Sequence, residues 1–198
     1  AISISDRQLI ATVSNDATVG IWDAETRQLI HVLRGHRGPV SAACRITVGD
    51  QQLLATAGTD STVRIWDPVN GRQVSILLGH EAWVNEVCSI AVGDRELLAT
   101  AGGDQTVRLW DPLSGRQIRV LQGHQGWVNG LCSASAGNRQ LLATASSDRI
   151  VRLWDPVTAT SLLSIPVHHD AVAVAWLDCL AVGIRAGVLM IDLRHHLI

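Results

Sequence analysis

The chain has 198 residues, a formal net charge of −2 and no phenylalanine or tyrosine. A charge this close to zero argues against the strongly basic surface with which proteins bind nucleic acid or anionic membranes. No apolar stretch approaches the length of about 18 residues that a membrane-spanning helix needs, and no signal peptide opens the chain. Valine, isoleucine, leucine, alanine and the seven tryptophans must therefore fill the core.

Residues 1–34 form the first unit of a sequence repeat. The stretch LIATVSNDATVGIWDA (Leu9 to Ala24) predicts two strands around a turn at Asn15-Asp16, and Arg27 to Leu33 predicts a third. Compared with the later units, we expect the innermost strand and its histidine to be missing. Because Ala1 stands where a start methionine would be and repeat sequence follows at once, we expect the natural N-terminus to lie upstream.

Residues 35–78 form the first complete unit, and residues 79–122 and 123–166 repeat its plan. Apolar Val63 and Ile65 alternate with Thr62 and Arg64, and this period of two predicts a strand. The strands predicted in the first complete unit are Val40 to Val48, Leu53 to Gly58, Thr62 to Trp66 and Arg72 to Leu78. The intervening sequence Asp67-Pro68-Val69-Asn70-Gly71 has the proline and glycine that a tight turn favours.

Residues 167–198 keep the pattern only in part. His168 retains the phase of the repeat, but Val167 replaces the preceding glycine and Ile191 stands where tryptophan is expected. The strands predicted here are Ala171 to Trp176, Cys179 to Gly183 and Gly187 to Asp192, without a clear outer strand. The end units of repeat arrays commonly differ from the rest, so we interpret residues 167–198 as a degenerate terminal unit.

Three features recur every 44 residues: a Gly-His pair, an aspartate in a turn and a Trp-Asp pair. The histidines are His36, His80 and His124, the aspartates Asp16, Asp60, Asp104 and Asp148, and the tryptophans Trp22, Trp66, Trp110 and Trp154. This period is typical of a propeller blade, and the chain resembles the WD-repeat family over nearly all its length. The resemblance implies an all-β fold: a β-propeller array of four-stranded antiparallel blades, about five in number, the first and last incomplete. Because neighbouring blades share a core, we expect residues 1–198 to form a single array.

The resemblance also implies a hydrogen-bonded relay of histidine, threonine, turn aspartate and tryptophan in each blade. The matching sets are His36, Thr56, Asp60 and Trp66, then His80, Thr100, Asp104 and Trp110, then His124, Thr144, Asp148 and Trp154. The first unit keeps Thr12, Asp16 and Trp22, and the last keeps only His168. Histidine, aspartate and threonine together also invite a catalytic interpretation, but three equivalent copies favour a structural one.

A partner-binding face follows from the resemblance as well. In WD-repeat proteins it carries the third and fifth residues after each histidine and the residue before each turn aspartate. Here these are Pro39, Ser41 and Thr59, then Trp83, Asn85 and Gly103, then Trp127, Asn129 and Ser147. We expect Trp83 and Trp127 to be solvent-facing interface anchors. The alternative is that each packs on a neighbouring blade.

The cysteines Cys44, Cys88 and Cys132 share the period of 44 residues, so they occupy equivalent positions in neighbouring blades. Because no C-x-x-C pair is present, we expect buried reduced thiols rather than a zinc site, and hence a reducing, cytoplasmic location. We predict no cofactor and no metal. The off-pattern candidates for a metal site are His168-His169-Asp170 and His195-His196.

All sixteen basic residues are arginine, a habit associated with GC-rich bacterial coding. Three of them, Arg64, Arg108 and Arg152, recur just before the Trp-Asp pairs, whereas Arg72, Arg116 and Arg139 lie near turns. A ring of arginines that read phosphate is one interpretation. Their acidic neighbours and the net charge favour ordinary solvated positions.

The number of blades is low for a closed ring, because closed propellers have at least about four complete blades. An open arc exposes strand edges and blade faces, which promotes aggregation. We therefore interpret the chain as the C-terminal part of a larger ring. A homodimer that closes one ring from two chains is the alternative.

The function we predict is a non-catalytic scaffold or sensor platform for protein–protein interaction, at the C-terminal end of a larger bacterial signalling protein. No phosphate-binding loop, nucleophile elbow or kinase signature is present. Two alternatives stay open. One is a propeller that binds a small molecule or glycan, which would favour the same aromatic residue at one pocket of every blade. The other is an enzyme with its active site in the central channel of the ring, which would need a cluster of carboxylates or histidines that is unique to one blade.

Overall fold

The computed structural model describes residues 2–4, 7–136, 139–176 and 179–192, all of them in strands, turns and loops. The first sheet contains β1 (Ile2–Ile4), β2 (Arg7–Val13), β3 (Thr18–Asp23) and β4 (Leu29–Arg34). The second contains β5 (Val40–Val48), β6 (Gln51–Gly58), β7 (Thr62–Asp67) and β8 (Arg72–Leu78). The third contains β9 (Val84–Val92), β10 (Arg95–Gly102), β11 (Val107–Trp110) and β12 (Gln117–Leu121).

The fourth sheet contains β13 (Val128–Ala136), β14 (Arg139–Ser146), β15 (Ile150–Asp155) and β16 (Thr160–Pro166), and the fifth β17 (Ala171–Trp176), β18 (Leu180–Ile184) and β19 (Gly187–Ile191). Every strand pairs antiparallel with the next strand of the same sheet. The prediction of an all-β array of four-stranded antiparallel blades is confirmed.

The first sheet corrects the prediction that its innermost strand is missing. Ile2–Ile4 forms a short strand that pairs with β2, with Ile2 opposite Leu9 and Ile4 opposite Arg7. Strand pairing uses backbone groups, so three residues suffice without the histidine that marks this strand elsewhere. In the fifth sheet the described residues provide three strands, and residues 193–198, where an outer strand was sought, lie outside the described part.

The core consists of apolar layers between consecutive sheets. In the layer between the second and third sheets, Val63 and Ile65 of β7 pack with Leu98 of β10 and Trp110 of β11. Successive side chains of a strand point to opposite faces, so each middle strand contributes to two layers. This explains the nearly continuous apolar runs LLATA of β6, β10 and β14, because both of their faces are buried.

The turn before the fourth strand of each complete sheet holds one residue in the left-handed region. Its φ is +70° at Gly71 and +68° at Gly115, but the same position is occupied by Arg27 at +59° and Ala159 at +60°. A side chain with a Cβ is strained in this conformation, whereas glycine adopts it readily.

Replacing Ala159 with glycine is therefore expected to raise the free energy of unfolding by about 1 kcal/mol. The matched variant Gly115→Ala is expected to lower it by a similar amount through the backbone alone, since a Cβ there has its nearest neighbours at 3.7 Å. Urea denaturation of both variants measures the two effects. A loss of stability in Ala159→Gly would contradict the assignment of strain to this turn.

Candidate functional site

The predicted relay residues meet in three sheets with nearly identical geometry. In the third sheet, His80 Nδ1 lies 2.9 Å from Asp104 Oδ2, and His80 Nε2 lies 2.8 Å from Thr100 Oγ1. The indole Nε1 of Trp110 donates to the same threonine oxygen at 2.9 Å. The corresponding distances are 3.1, 2.9 and 2.8 Å in the second sheet and 2.8, 2.7 and 2.9 Å in the fourth.

The hydrogen-bonding capacities of these groups assign the proton on the imidazole. An ionised aspartate can only accept, so the histidine Nδ1 carries the hydrogen that it donates to the carboxylate. The neutral Nε2 then accepts from the threonine hydroxyl, whose oxygen accepts the tryptophan N–H. Each relay is thus satisfied by one neutral tautomer, with the threonines at 0% exposure. A fully satisfied buried network fixes a single arrangement of its strands.

The acidity of the relay groups reflects this arrangement. Burial lowers the pKa of His36 and of His124, although their aspartate partners act in the opposite direction. Burial alone would raise the pKa of Asp60, but hydrogen bonds from the Arg37 amide, Thr62 and His36 outweigh it, so that this pKa is lowered. Asp104 and Asp148 show the same net lowering of the pKa.

Because both kinds of group have a lowered pKa in the folded chain, the unfolded chain binds more protons in acid and stability falls as pH decreases. We expect the melting temperature to begin falling below about pH 6.5, where unfolded histidines become protonated, and to fall more steeply below about pH 4, where unfolded aspartates do. Thermal melts between pH 8 and 3 measure both steps. A melting temperature that rises on acidification from pH 8 to 5 would contradict this assignment.

The first sheet shows the relay without its histidine. Trp22 Nε1 still donates to Thr12 Oγ1 at 2.9 Å, and Asp16 accepts from the amide and hydroxyl of Thr18. Here Thr12 is exposed and Trp22 only half-buried, whereas Thr56 and Trp66 of the second sheet are buried. No sheet of the described residues covers the face that carries these residues in the first sheet.

The arginines before the Trp-Asp pairs do not occupy the solvated positions that we expected. The Arg108 side chain is 13% exposed and donates to Asp104 at 3.3 Å and to Gln117 at 2.7 Å. Arg152 lies over the Trp154 ring, with its guanidinium carbon 5.8 Å from the ring centroid. The alternation of the strand places these side chains beside the tryptophan two residues later, so they pack against it instead of extending into water.

The predicted partner face is assembled at the opposite end of the sheets from the Trp-Asp turns. The backbone amides of Thr59, Gly103 and Ser147 donate to the carbonyls of Pro39, Trp83 and Trp127, at 2.9, 2.8 and 3.0 Å respectively. These bonds join each loop that follows a histidine to the turn that holds the relay aspartate. The backbone that presents the face is therefore held by the relay.

Three residues of this face also connect neighbouring sheets. Asn85 Nδ2 donates to the Val128 carbonyl at 2.9 Å, and Asn129 Nδ2 donates to the Ala171 carbonyl at 3.0 Å. At the equivalent position, Ser41 Oγ donates to the Val84 carbonyl. Each bond reaches the first strand of the next sheet, a role that the sequence did not indicate.

Trp83 and Trp127 are the exposed aromatic residues of the face. Their side chains are 57% and 58% exposed, which confirms the expectation that they face solvent. They also contact each other across neighbouring sheets, with ring centroids 6.3 Å apart and planes inclined at 49°. Together with Thr59, Glu81 and Asn85 they line a cleft of about 340 Å³.

The family model described as WD domain, G-beta repeat, matches residues 27–67, 71–111 and 115–155, which together make up more than half of the chain. The chain belongs to the WD-repeat family. A search of curated proteins found no match.

The matched WD repeats are out of phase with the sheets. The first match, residues 27–67, includes β4 of the first sheet and β5 to β7 of the second. Each matched repeat therefore covers the last strand of one blade and the first three strands of the next. The loop with the histidine joins these two blades. WD repeats commonly mediate protein–protein interaction and are generally non-catalytic scaffolds.

The cysteines and the remaining candidates lie apart from this face. Cys44, Cys88 and Cys132 are free and half-buried on β5, β9 and β13, and burial raises the pKa of Cys132 to about 12. Sequence reasoning missed Glu86, a half-buried carboxyl on β9 whose pKa burial raises.

In the described part of the chain, no group of three or more histidine, cysteine, aspartate or glutamate side chains is placed to bind a metal. His195-His196 lies outside the described residues. Nor does any helix of the described residues have the length and apolar character needed to cross a membrane.

Proposed function

We propose that this chain is a non-catalytic platform that binds a protein partner through the face around Trp83 and Trp127. The observation that carries the proposal is the pair of tryptophans itself, more than half exposed and in contact across two blades. Buried tryptophan anchors dominate the binding energy of many interfaces, because they bury a large area with few rotatable bonds.

The backbone beneath these side chains supports the proposal. The carbonyls of Trp83 and Trp127 accept from Gly103 and Ser147, and each of these lies directly before a relay aspartate. The backbone that carries the two anchors is thus ordered before a partner arrives, which reduces the entropy lost on binding. The relay recurs in three blades as one structural device, whereas an active site is normally a single constellation.

The experiment is affinity capture with the chain and with the double variant Trp83→Ala/Trp127→Ala, followed by binding measurements on the purified captured protein. We expect the double variant to lose at least about tenfold in affinity, since each hot-spot truncation costs about 2 kcal/mol or more. Its melting temperature should stay close to that of the parent, because neither side chain is buried.

Leu113→Ala is the matched control. Leu113 is 58% exposed, like the tryptophans, but lies in the turn after β11 at the other end of the blade. Its substitution should leave the affinity unchanged. Equal binding by the parent and the double variant would overturn the proposed face, and unfolding of the double variant would show that the tryptophans serve packing.

We further propose a bacterial signalling context for this platform and a reducing, cytoplasmic location. Cys44, Cys88 and Cys132 support the location, because burial raises the pKa of each of these free thiols and the described residues contain no disulfide. The exclusive use of arginine supports a GC-rich bacterial source. Redox proteomics of the native protein tests the location, and oxidised Cys88 would contradict it.

The two ends of the array indicate a second partner surface. Ile10 in the first sheet is 44% exposed, whereas the equivalent Leu54, Leu98 and Leu142 are at most 1% exposed. In the fifth sheet, Val188 pairs with Gly183 as Val151 pairs with Ala145 in the fourth, yet Val188 is 67% exposed and Val151 is buried.

We propose that a further blade of the same kind, supplied by a longer polypeptide, covers each of these end faces. Sedimentation of the 198-residue chain tests this. A chain that stays monomeric supports the proposal. Met190 lies two residues after Val188 on the same face and is 58% exposed. Self-association that Met190→Asp abolishes and Leu113→Asp does not would overturn the proposal in favour of a second copy that closes the ring.

A further inference from the structure

We propose that the cleft beside Trp83 and Trp127 binds a cationic side chain, arginine or lysine, presented by the partner. This inference rests on the proposed function and specifies the chemistry of the same face. It follows from the shape of the tryptophan pair, from the charge of the cleft and from the size of the space.

The rings of Trp83 and Trp127 line one side of the cleft together. Their planes are inclined at 49° with centroids 6.3 Å apart, so the two rings lie against each other and a group bound in the cleft that both of them line contacts both indoles. A guanidinium or ammonium group within about 6 Å of an indole centroid is attracted by the negative face of the ring. Tryptophan is the strongest of the aromatic residues in this respect.

The charge of the cleft favours a cation as well. Among the eight described residues that line it, Glu81 alone is ionisable, and it is exposed. Its backbone amide is committed to Asp104 at 3.1 Å, which fixes the position of the residue at the mouth of the cleft. The negative charge of Asp104 itself is balanced by Arg108, whose guanidinium lies 3.3 Å away.

The size of the cleft suits one side chain. Its volume of about 340 Å³ lies at the lower end of the range of about 300–1,000 Å³ that is usual for small-ligand sites. Side-chain groups of Thr59 and Asn85 at the wall provide polar contacts for a hydrogen-bonding head group. Arginine offers five donors for such contacts as well as a planar face for stacking.

Among the described blades, the pair of tryptophans with a neighbouring carboxylate occurs once. The third residue after the histidine is Pro39 in the second blade and Ala171 in the fifth, so neither can form another tryptophan pair. Glu81 also lacks an acidic equivalent, because the matching residues are Arg37, Gln125 and His169. Among the described blades, the structure thus points to one cation site, which lies over the third blade between the second and the fourth, and not to a repeated one.

The test uses blocked peptides Gly-Ser-Xaa-Ser-Gly in which Xaa is arginine, lysine, norleucine or glutamate. Binding is followed by the NMR signals of the indole N–H groups of Trp83 and Trp127. We expect the arginine and lysine peptides to bind at least about threefold more tightly than the norleucine peptide, which has a similar stem without charge. The advantage should shrink in 0.5 M salt, where exposed charges are screened.

Two variants separate charge from stacking. Glu81→Gln copies the residue found at position 125 and is expected to weaken the arginine peptide about two- to fivefold while leaving norleucine unchanged. Trp127→Ala should weaken both peptides. Glu25→Gln removes a carboxylate from a turn of the first blade and serves as the control that changes nothing.

The outcomes distinguish this inference from the proposed function. Equal binding of arginine and norleucine peptides, unaffected by Glu81→Gln, would overturn the cation site and leave the tryptophan face standing. The absence of any shift of the two indole signals would overturn the cation site too. In that case the capture experiment decides separately whether the face binds a protein.

Discussion

Replacing His80 with alanine is expected to lower the free energy of unfolding by about 3 kcal/mol. His80 is 7% exposed and connects Asp104 to Thr100. Without the imidazole, the buried Thr100 hydroxyl keeps only a 3.5 Å contact to the Arg108 carbonyl as a place to donate. The unsatisfied hydroxyl and the cavity left by the ring both contribute.

Thermal and urea denaturation measure this effect, and Thr12→Val provides the matched control. Thr12 accepts from Trp22 as Thr100 does from Trp110, but it is exposed and has no histidine. Its substitution should change stability by no more than about 0.5 kcal/mol. A His80→Ala chain with an unchanged melting temperature but without partner binding would show that the relay serves function instead of structure.

Replacing Leu98 with alanine is expected to cost about 3–4 kcal/mol, which is typical of a large-to-small change in a closed core. Leu98 is 0% exposed and lies in the layer between the second and third blades. The equivalent Ile10 of the first blade is 44% exposed, so Ile10→Ala should cost less than about 1 kcal/mol.

Urea denaturation of both variants, at a concentration where the chain is monomeric, measures the contrast. Equal losses at the two positions would mean that the first blade is covered in solution. A small loss for Leu98→Ala would contradict the packing of the second blade on the third. The pair therefore tests whether stability resides between the blades, as expected of an array in which each unit contacts only its neighbours.

The relay is connected to the partner face by hydrogen bonds. The aspartate that accepts a hydrogen bond from each histidine also accepts one from the backbone amide of the residue that follows the histidine. Asp104, for example, accepts from both His80 and the Glu81 amide. Both Glu81 and Trp83 lie in that loop. A buried structural network thus positions the residues that we assign to binding, and its loss is expected to affect the face only by unfolding it.

The sequence alone predicted the strands, because the alternation of apolar and polar side chains is a local property. Gln51–Gly58 and Thr62–Asp67 differ from the predicted strands by two residues or fewer at each end. The relay was also predictable, since its members repeat with the same period and their donors and acceptors match. Ile2–Ile4 escaped prediction because backbone pairing needs no distinctive side chain.

Other features depended on the tertiary structure. The sequence gives Trp83 and Trp127 the same position in consecutive repeats, but only the packing of two blades places their rings 6.3 Å apart beside Glu81. Likewise, Ser41, Asn85 and Asn129 are polar in three consecutive repeats, and only the neighbouring blade makes Asn85 a link to Val128.

The sequence by itself therefore determined the fold class, the blade pattern and the relay, because these follow from interactions within one repeat. The tertiary structure decided the cleft, the bonds between blades and the exposed end faces. Those features arise where separate repeats meet, and the distance and orientation between two blades are set by the whole core layer rather than by any single residue.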